Sequence, residues 1–449
     1  MTSRSPEEPG RRRWAPRMQQ SLPTATVIDR IAFLVGTISA IWLAVVIGMQ
    51  GFRYPWSFLV LIPVWVITAY LALPRLHRLL SDLYVPDYFF GRTRTGDGLL
   101  GDPVNLGVDG SPAQLDEAMI AAGWHRADEI TAASTWRIIT STITRRSYPT
   151  APVSPLMLFG RRHDVAYQQE VEGNPKQRHH VRFWHTPPGW LLPGGARTDW
   201  MGAGTYDTDV GLSFFTLQVT HRIDENTDIE RDYVVSSVRE AVPTATVRTL
   251  HDFTTGYHSR NGGGDRFVTD GDLPILDLTG VAVDEAEYER EQEAEAGPDR
   301  PTAHDIIDRM PLTVVAAVVL VVVSAIFESL SLLFDKEVAA LLAAGGEEGR
   351  IAYIVVLAFV LVLAVLQLVI ALLVLRRGRG ARLLLMILLV LDILTTAISY
   401  LDGTAALRFN GTLFSASLQC LALLALSSES AGAWSRGRRR GELMEEARR

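Results

Sequence analysis

The stretch IAYIVVLAFVLVLAVLQLVIALLVL, residues 351–375, decides the fold class, because Gln367 is the one strongly polar residue in an otherwise apolar run. A helix of that length, rising about 1.5 Å per residue, clears the roughly 30 Å hydrocarbon layer of a bilayer. Five further stretches share its character: Ile31–Met49, Trp56–Leu73, Leu312–Leu333, Leu383–Leu401 and Leu413–Leu426. Together they predict about six transmembrane helices, two before and four after a long polar interval. The second and the last are the shortest. The first is too long in its apolar core for a cleavable signal, and no small-x-small site follows before Phe52-Arg53-Tyr54-Pro55-Trp56.

Arginine placement predicts the orientation. Arg11, Arg12, Arg13 and Arg17 precede the first helix, while the turn after it carries Arg53 alone. Arg75 and Arg78 follow the second, Arg376, Arg377, Arg379 and Arg382 join the fourth to the fifth, and Arg436, Arg438, Arg439 and Arg440 follow the sixth. The connection between the third and fourth instead holds Asp335, Glu337, Glu347 and Glu348 beside Lys336 and Arg350. If all six stretches span, every arginine cluster falls on one side, and retention of that side in the cytoplasm places both termini and the central domain there. Phe52, Tyr54 and Trp56 then form an aromatic anchor at the outer interface.

Composition narrows the function classes. A chain of 449 residues exceeds one ordinary soluble domain, and its 48% hydrophobic content is segregated along the sequence. A net charge of −7 argues against a protein that coats nucleic acid with basic surface. The single cysteine, Cys420, excludes an internal disulfide framework and a cysteine zinc cluster. The organisation read from the chain is a basic tail (1–26), a transmembrane hairpin (27–75), an α+β domain (76–282), an acidic linker (283–310), a four-helix transmembrane block (311–429) and a second basic tail (430–449).

Within the central domain, Ser111 reads as the N-cap of a helix carrying Ala113, Leu115, Ala118, Met119 and Ala122, with Gly123 as its stop. A second helix is expected over Glu129–Thr144, followed by an extended segment imposed by Pro149, Pro152 and Pro155. Strand patterns occur at Arg178–Trp184, Trp200–Asp207 and Leu212–Thr220. Thr227-Asp228-Ile229-Glu230 reads as a capping box opening a helix to about Ala241. Strands at Thr246–Phe253 and Ile275–Leu278 flank the turn Asn261-Gly262-Gly263-Gly264-Asp265. Residues Asp284–Pro301 read as a solvated linker or exposed helix.

Several motifs in order resemble the LssY C-terminal domain family, found in bacterial membrane proteins, often behind a type 2 phosphatidic-acid phosphatase module. They are Gly101-Asp102-Pro103-Val104-Asn105, Ala122-Gly123-Trp124, Tyr148-Pro149-Thr150-Ala151-Pro152-Val153-Ser154-Pro155-Leu156 and Phe159-Gly160-Arg161. Arg178-His179-His180-Val181-Arg182-Phe183-Trp184, Ala203-Gly204-Thr205-Tyr206-Asp207, Thr220-His221 and Glu230-Arg231-Asp232 complete the series. The resemblance spans roughly Leu100 to Leu278 and implies no established activity. The phosphatase signatures are missing from this chain, with no Pro-Ser-Gly-His and no Ser-Arg followed by spaced His and Asp. Phosphatase activity therefore does not carry over.

Strand alternation suggests a site. Arg178, His180, Arg182 and Trp184 should share one face, with His179, Val181 and Phe183 on the other. Two guanidinium groups beside an imidazole suit a phosphate or carboxylate. Arg161, Tyr206, Asp207, His221, Arg231 and Asp232 could join from neighbouring elements, or the face could be a solvated surface of weak ion pairs. His163, Asp164, His179, His180, His185 and His221 could supply metal ligands, but no His-Glu-x-x-His spacing appears and no metal or cofactor is expected. Neither a phosphate-cradling Gly-x-x-x-x-Gly-Lys loop nor a Gly-x-Ser-x-Gly elbow is present.

In the apolar block, Asp392 and Glu328 are costly residues that suggest either interhelical hydrogen bonding, with Asp392 and Gln419 at similar depth, or cation coupling. The preferred expectation is a bacterial inner-membrane protein that holds an LssY-type domain in the cytoplasm. Its partners would be the bilayer and an anionic lipid headgroup or lipid-linked phosphate. The alternatives are a phosphoester hydrolase using His180 or His221 with Asp207, and a scaffold for other envelope proteins.

Overall fold

The computed structural model describes residues 27–51, 58–85, 88–128, 134, 137, 148–171, 174–213, 215–254, 259–296, 310–333, 346–403 and 410–436. The aromatic anchor, the arginines at 11–17 and 438–440, and nearly all of the helix expected over Glu129–Thr144 lie outside the described residues. In chain order the helices are α1 (Val27–Gly51), α2 (Phe58–Ile67), α3 (Leu73–Tyr84), α4 (Pro112–Ala121), α5 (Thr227–Ala241), α6 (Glu285–Ala296), α7 (Leu312–Leu333), α8 (Gly346–Leu375), α9 (Arg379–Leu401), α10 (Gly411–Leu426) and α11 (Glu429–Arg436). Contacts divide the chain into two units: residues 21–79 with 298–449, and residues 1–20 with 80–297.

The first unit is helical. Among the described residues, five helices are long and apolar enough to cross a membrane: Val27–Met49, Leu59–Tyr84, Leu312–Ser331, Gly346–Leu375 and Arg379–Leu401. The second of these runs from α2 into α3 through a π-helical turn at Thr68–Ala72. The sixth stretch forms α10, whose 16 residues rise only about 24 Å, short of a full apolar layer. Its packing explains how it is tolerated: Leu413, Ala416, Cys420, Ala422, Leu423 and Leu426 are all buried, against α7, α9 and α1. By contrast α8, the most hydropathic helix, leaves Ile354, Val355, Phe359, Val362 and Val365 exposed.

Polar side chains join these helices. Arg382 donates to Asp29 at 2.5 Å and Arg75 to Ser427 at 2.8 Å. The pairing of Asp392 with Gln419 is not what forms. Gln367 of α8 donates to Asp392 at 2.9 Å, while Gln419 donates to Glu328 of α7 at 2.7 Å, beside Ser324 and Ser415. Which helix faces which is set by packing.

The second unit is α+β. Its strands are β1 (Arg92–Thr95), β2 (Leu100–Pro103), β3 (Leu106–Asp109), β4 (His125–Arg126), β5 (Leu156–Leu158), β6 (Arg161–Arg162), β7 (Val165–Val171), β8 (Asn174–His185), β9 (Trp200–Leu212), β10 (Val219–Ile223), β11 (Thr246–Leu250) and β12 (Leu273–Asp277). The larger sheet has the order β11-β12-β3-β9-β8-β7-β4, with β10 added to β9. The smaller sheet has the order β2-β1-β5-β6.

Alternation along β8 and β9 creates two cores. Val181 and Phe183, both fully buried, pack with Leu115, Met119, Val234 and Val238 from α4 and α5. Trp184, Met201 and Ala203 enter a separate core with Leu156 and Leu158 of the smaller sheet. Each large side chain removed from water contributes about 1.5–3 kcal/mol. Gly202 faces Phe183 across the strands, and a Cβ there would approach the ring to 2.9 Å, so close pairing of β8 with β9 needs glycine.

Helix signals resolve as follows. Ser111 caps α4 in a full capping box with Gln114, and Gly123 takes a positive φ of 79° just past its end. Helix α5 has the predicted span, but its cap is Asn226, whose side chain accepts from the Asp228 amide at 3.1 Å. Thr227 donates to the Val268 carbonyl instead, so the expected capping box does not form and the cap sits one residue earlier. The strand expected over Leu212–Thr220 is a hairpin: β9 ends at Leu212, Ser213 and Thr216 hold a turn, and β10 begins at Val219. The acidic segment forms α6 over Glu285–Ala296.

Candidate functional site

Strand register assembles the site. Pairing of β7, β8 and β9 places Arg178 between Glu170 and Asp207, and His180 between Gln168 and Thr205. Directly opposed residues share a face of the sheet. On the other side of β9, β10 sets Ile223 opposite Asp207, so His221, two residues earlier, reaches Asp207 diagonally. The smaller sheet brings Asp102 of β2 over this face, and the proline-rich segment brings Ser154. Between them lies a recess of about 150 Å³ that includes Arg178, His180, Arg182, Asp207 and His221 in its wall. Cavities of this size accept a benzene-sized guest.

Asp207 is the hub. Its Oδ2 lies 3.2 Å from Nδ1 of His221 and 3.4 Å from Nδ1 of His180. The Thr205 hydroxyl lies 2.8 Å from Nε2 of His180, so both nitrogens of that buried ring are engaged. His221 differs, because its side chain is 43% exposed at the edge of the recess. Arg182, nearly fully buried, donates from Nη1 to Asp102 at 3.1 Å and from Nε to the Ser154 carbonyl at 3.0 Å. Arg178 lies 3.7 Å from Glu170 and 3.5 Å from the side-chain Oε1 of Gln168.

The electrostatics follow from burial and these neighbours. Desolvation alone would raise the Asp207 pKa, but His180, His221 and Arg182 outweigh it and hold the carboxyl below its ordinary value. Desolvation lowers Arg182 against the pull of Asp102 and Asp207, and lowers Arg178 against Glu170 and Asp207. The same desolvation carries His221 below its ordinary value against Asp207, and the exposed part of its ring limits that effect. The wall therefore presents two guanidinium groups against ionised Asp207 and the Asp102 carboxyl, with an accessible imidazole at its edge.

Other expected site residues lie elsewhere. Trp184 shares the face of Arg182 but is fully buried in the second core. Tyr206 and His179 point to the helical side, where their rings lie 4.7 Å apart and His179 contacts Glu230 at 2.6 Å. Arg161 pairs with Asp164 and the His185 carbonyl. Arg231 clamps the start of α5 to the following loop, with both terminal nitrogens on Asp270 and Nε on Asp232. Near the start of the helix, among Asp228, Asp232 and Asp270, all three of its guanidinium nitrogens are engaged by carboxylates. His163 lies against Trp184, and His185 against Trp200. Among the described residues no group of three His, Cys, Asp or Glu side chains is arranged to hold a metal ion.

Sequence reasoning missed Asp102, Gln168 and Thr205. Thr205 was accessible in principle, since registering β9 on β8 places it opposite His180. Asp102 comes from the other sheet, and no local pattern announces that approach.

The fold and recess define an α+β domain which, in sequence, lies between groups of apolar helices. That domain is similar to the LssY C-terminal domain: residues 83–273 match the family model described as LssY C-terminus, less than half of the chain. Compared with curated proteins and with solved structures, the chain has no match.

Proposed function

We propose that this is a multi-pass protein of the bacterial inner membrane whose LssY-type domain, in the cytoplasm, recognises an anionic group such as a lipid headgroup or lipid-linked phosphate. The observation that carries the reading is the convergence of Arg178, Arg182, His180 and His221 on one recess. Arginine offers paired donors to phosphate or carboxylate oxygens, and the accessible imidazole of His221 stands at the edge of the same recess. The helices supply the membrane, and the arginine asymmetry supports the orientation.

The test is retention of lipid by the full chain in detergent, followed by mass spectrometry of what co-purifies. Arg178→Gln with His221→Gln should strip the bound anion, and wild-type occupancy in that double variant would overturn the reading. Orientation is tested in intact cells with an impermeant thiol reagent in a Cys420→Ala background. Glu347→Cys should label, whereas Gly96→Cys and Gly380→Cys should not.

A second reading rests on the His221–Asp207 pair. A carboxylate at Nδ1 orients an imidazole for proton transfer at Nε2. In that case the domain is a phosphoester hydrolase, and it should release phosphate from a lipid substrate rather than only retain it.

A further inference from the structure

We propose that the loop between β8 and β9 is a bilayer-docking edge, which sets Leu191 and Pro193 among the headgroups and first acyl carbons of the membrane that this chain's own helices occupy. The proposal is independent of the anion-recognition reading and of the side of the membrane on which the domain lies.

Residues 187–196, PPGWLLPGGA, hold no charged side chain and none with a hydroxyl or an amide. Loops that face water are normally polar, and an exposed apolar run marks a surface that something covers. Trp190 and Leu192 turn into the second core, whereas Leu191 is 44% exposed and Pro193 is exposed beside it. The tip is held in one shape. The amides of Trp190, Leu192 and Gly195 donate to the carbonyls of Pro187, Ala196 and Leu192, each at 2.9 Å. A Cβ added at Gly189, Gly194 or Gly195 would meet nothing within 4 Å, so the tip stands clear of the domain behind it.

The occupant follows from where the loop is anchored. The apolar helix over Leu59–Tyr84 is long enough to span a bilayer, and its last turns expose Leu80, Leu83 and Tyr84. Their i, i+3, i+4 spacing puts them on one helical face, the arrangement of a helix lying in the membrane interface. Tyr88 follows four residues later, at most about 14 Å from Tyr84, and is 62% exposed. Phe89 then packs against Trp190 with ring centroids 5.0 Å apart. Tyr88, Phe90, Pro193 and Phe253 line one cleft of about 200 Å³. Leu191 is thereby tied to the point at which the chain leaves the apolar layer. A bilayer interface takes this set as it stands, with aromatic rings at headgroup level, an aliphatic tip below them and exposed Arg197 beside the phosphates. A protein partner would call for a polar rim of directed hydrogen bonds, and residues 187–196 supply no side chain for one besides the inward Trp190.

The experiment uses the full chain in nanodiscs of phosphatidylcholine and phosphatidylglycerol, with a small fluorophore on Leu191→Cys in a Cys420→Ala background. Asp209→Cys provides the aqueous reference, since it lies nine residues beyond Trp200 on β9, about 30 Å along the strand. The label at 191 should be quenched by phosphatidylcholine bearing a nitroxide high on its acyl chain. It should also be at least about fivefold less sensitive to aqueous iodide than the label at 209. Equal sensitivity to iodide overturns the proposal. Protection from iodide without quenching by the lipid overturns it as well, because a second copy or another segment of the chain then covers the loop. Pro193→Cys, labelled with and without Leu191→Asp, separates insertion from tethering, and it replaces the first label if Leu191→Cys does not fold. A charge at the tip should cut lipid quenching at 193 at least about twofold by expelling the loop. Unchanged quenching means that the linker alone keeps the domain near the bilayer, and the docking edge is then refuted.

Discussion

Nδ1 of His221 lies 3.2 Å from Oδ2 of Asp207, on the diagonal of the β9–β10 hairpin. That contact makes the two imidazoles of the site unequal. His180 has a partner on each nitrogen and is buried, whereas His221 remains accessible. His221→Gln should therefore change ligand chemistry, and His180→Gln should chiefly change stability. In a binding domain His221→Gln weakens affinity modestly; in a hydrolase it removes turnover far more than affinity. Parallel measurement of retained lipid and released phosphate separates these outcomes.

Arg182 is a poor choice for testing binding alone. It compensates Asp102, which is 7% exposed, and also satisfies the Ser154 carbonyl. Arg182→Ala leaves a buried carboxylate unpaired, a change that costs about 3–5 kcal/mol. Arg182→Lys keeps the charge but cannot reproduce two directed bonds, so it should still lower stability measurably. Denaturant unfolding of the wild type, Arg182→Lys and Arg182→Ala should rank them in that order. Equal stability for all three contradicts the pairing.

Local signals in the sequence reported local structure well. The alternation of Arg178, His180 and Arg182 against Val181 and Phe183 is what β8 shows, because a strand with two buried faces still has period two. The Ser111 cap and the Gly123 stop also lie where their chemistry demands. What failed depended on partners distant in the chain. Thr227 was claimed by the Val268 carbonyl, which left Asn226 to cap the helix. Arg231 was claimed by Asp270 and Trp184 by the second core. The short strands β1, β2, β5 and β6 span two to four residues each. That is too few to show a period, so the sheet that closes the recess was invisible.

Asn226→Ala should cost about 1 kcal/mol, the usual price of losing an N-cap. Thr227→Ser, which preserves a hydroxyl for the Val268 carbonyl, should cost less. Thermal melting of both variants checks the assignment, and the opposite order would return the cap to Thr227.

In the helical unit, Gln367 and Asp392 form a cross-helix hydrogen bond of 2.9 Å. Asp392→Asn preserves a partner for Gln367 and should leave stability nearly unchanged. Asp392→Leu should cost on the order of 1 kcal/mol, as interhelical bonds in membranes do. Loss of lipid retention or transport in the Asn variant, with stability intact, would show that the carboxyl itself is required.

The last prediction concerns His163, whose pKa is lowered to about 3 by desolvation first, and then by Arg182, Arg162 and His180. Its Nδ1 is buried without a hydrogen-bond partner among the described residues. In the unfolded chain a histidine titrates near pH 6.5 (about its model value). Above that pH the ring is neutral in both states and contributes no pH dependence. As the pH falls from about 6.5 to about 3, the unfolded chain takes up a proton that the folded domain refuses, and stability is lost progressively. His163→Gln, with no proton to take up, should flatten this part of the stability profile. Trp184, whose ring lies 6.1 Å from His163 in an edge-on arrangement, provides a fluorescence reporter close to the site. Unfolding followed at intervals between about pH 7.5 and pH 5 should show wild type and variant converging as the pH falls, if the substitution itself costs stability at neutral pH. A constant difference between the two curves would mean that another group excludes the proton.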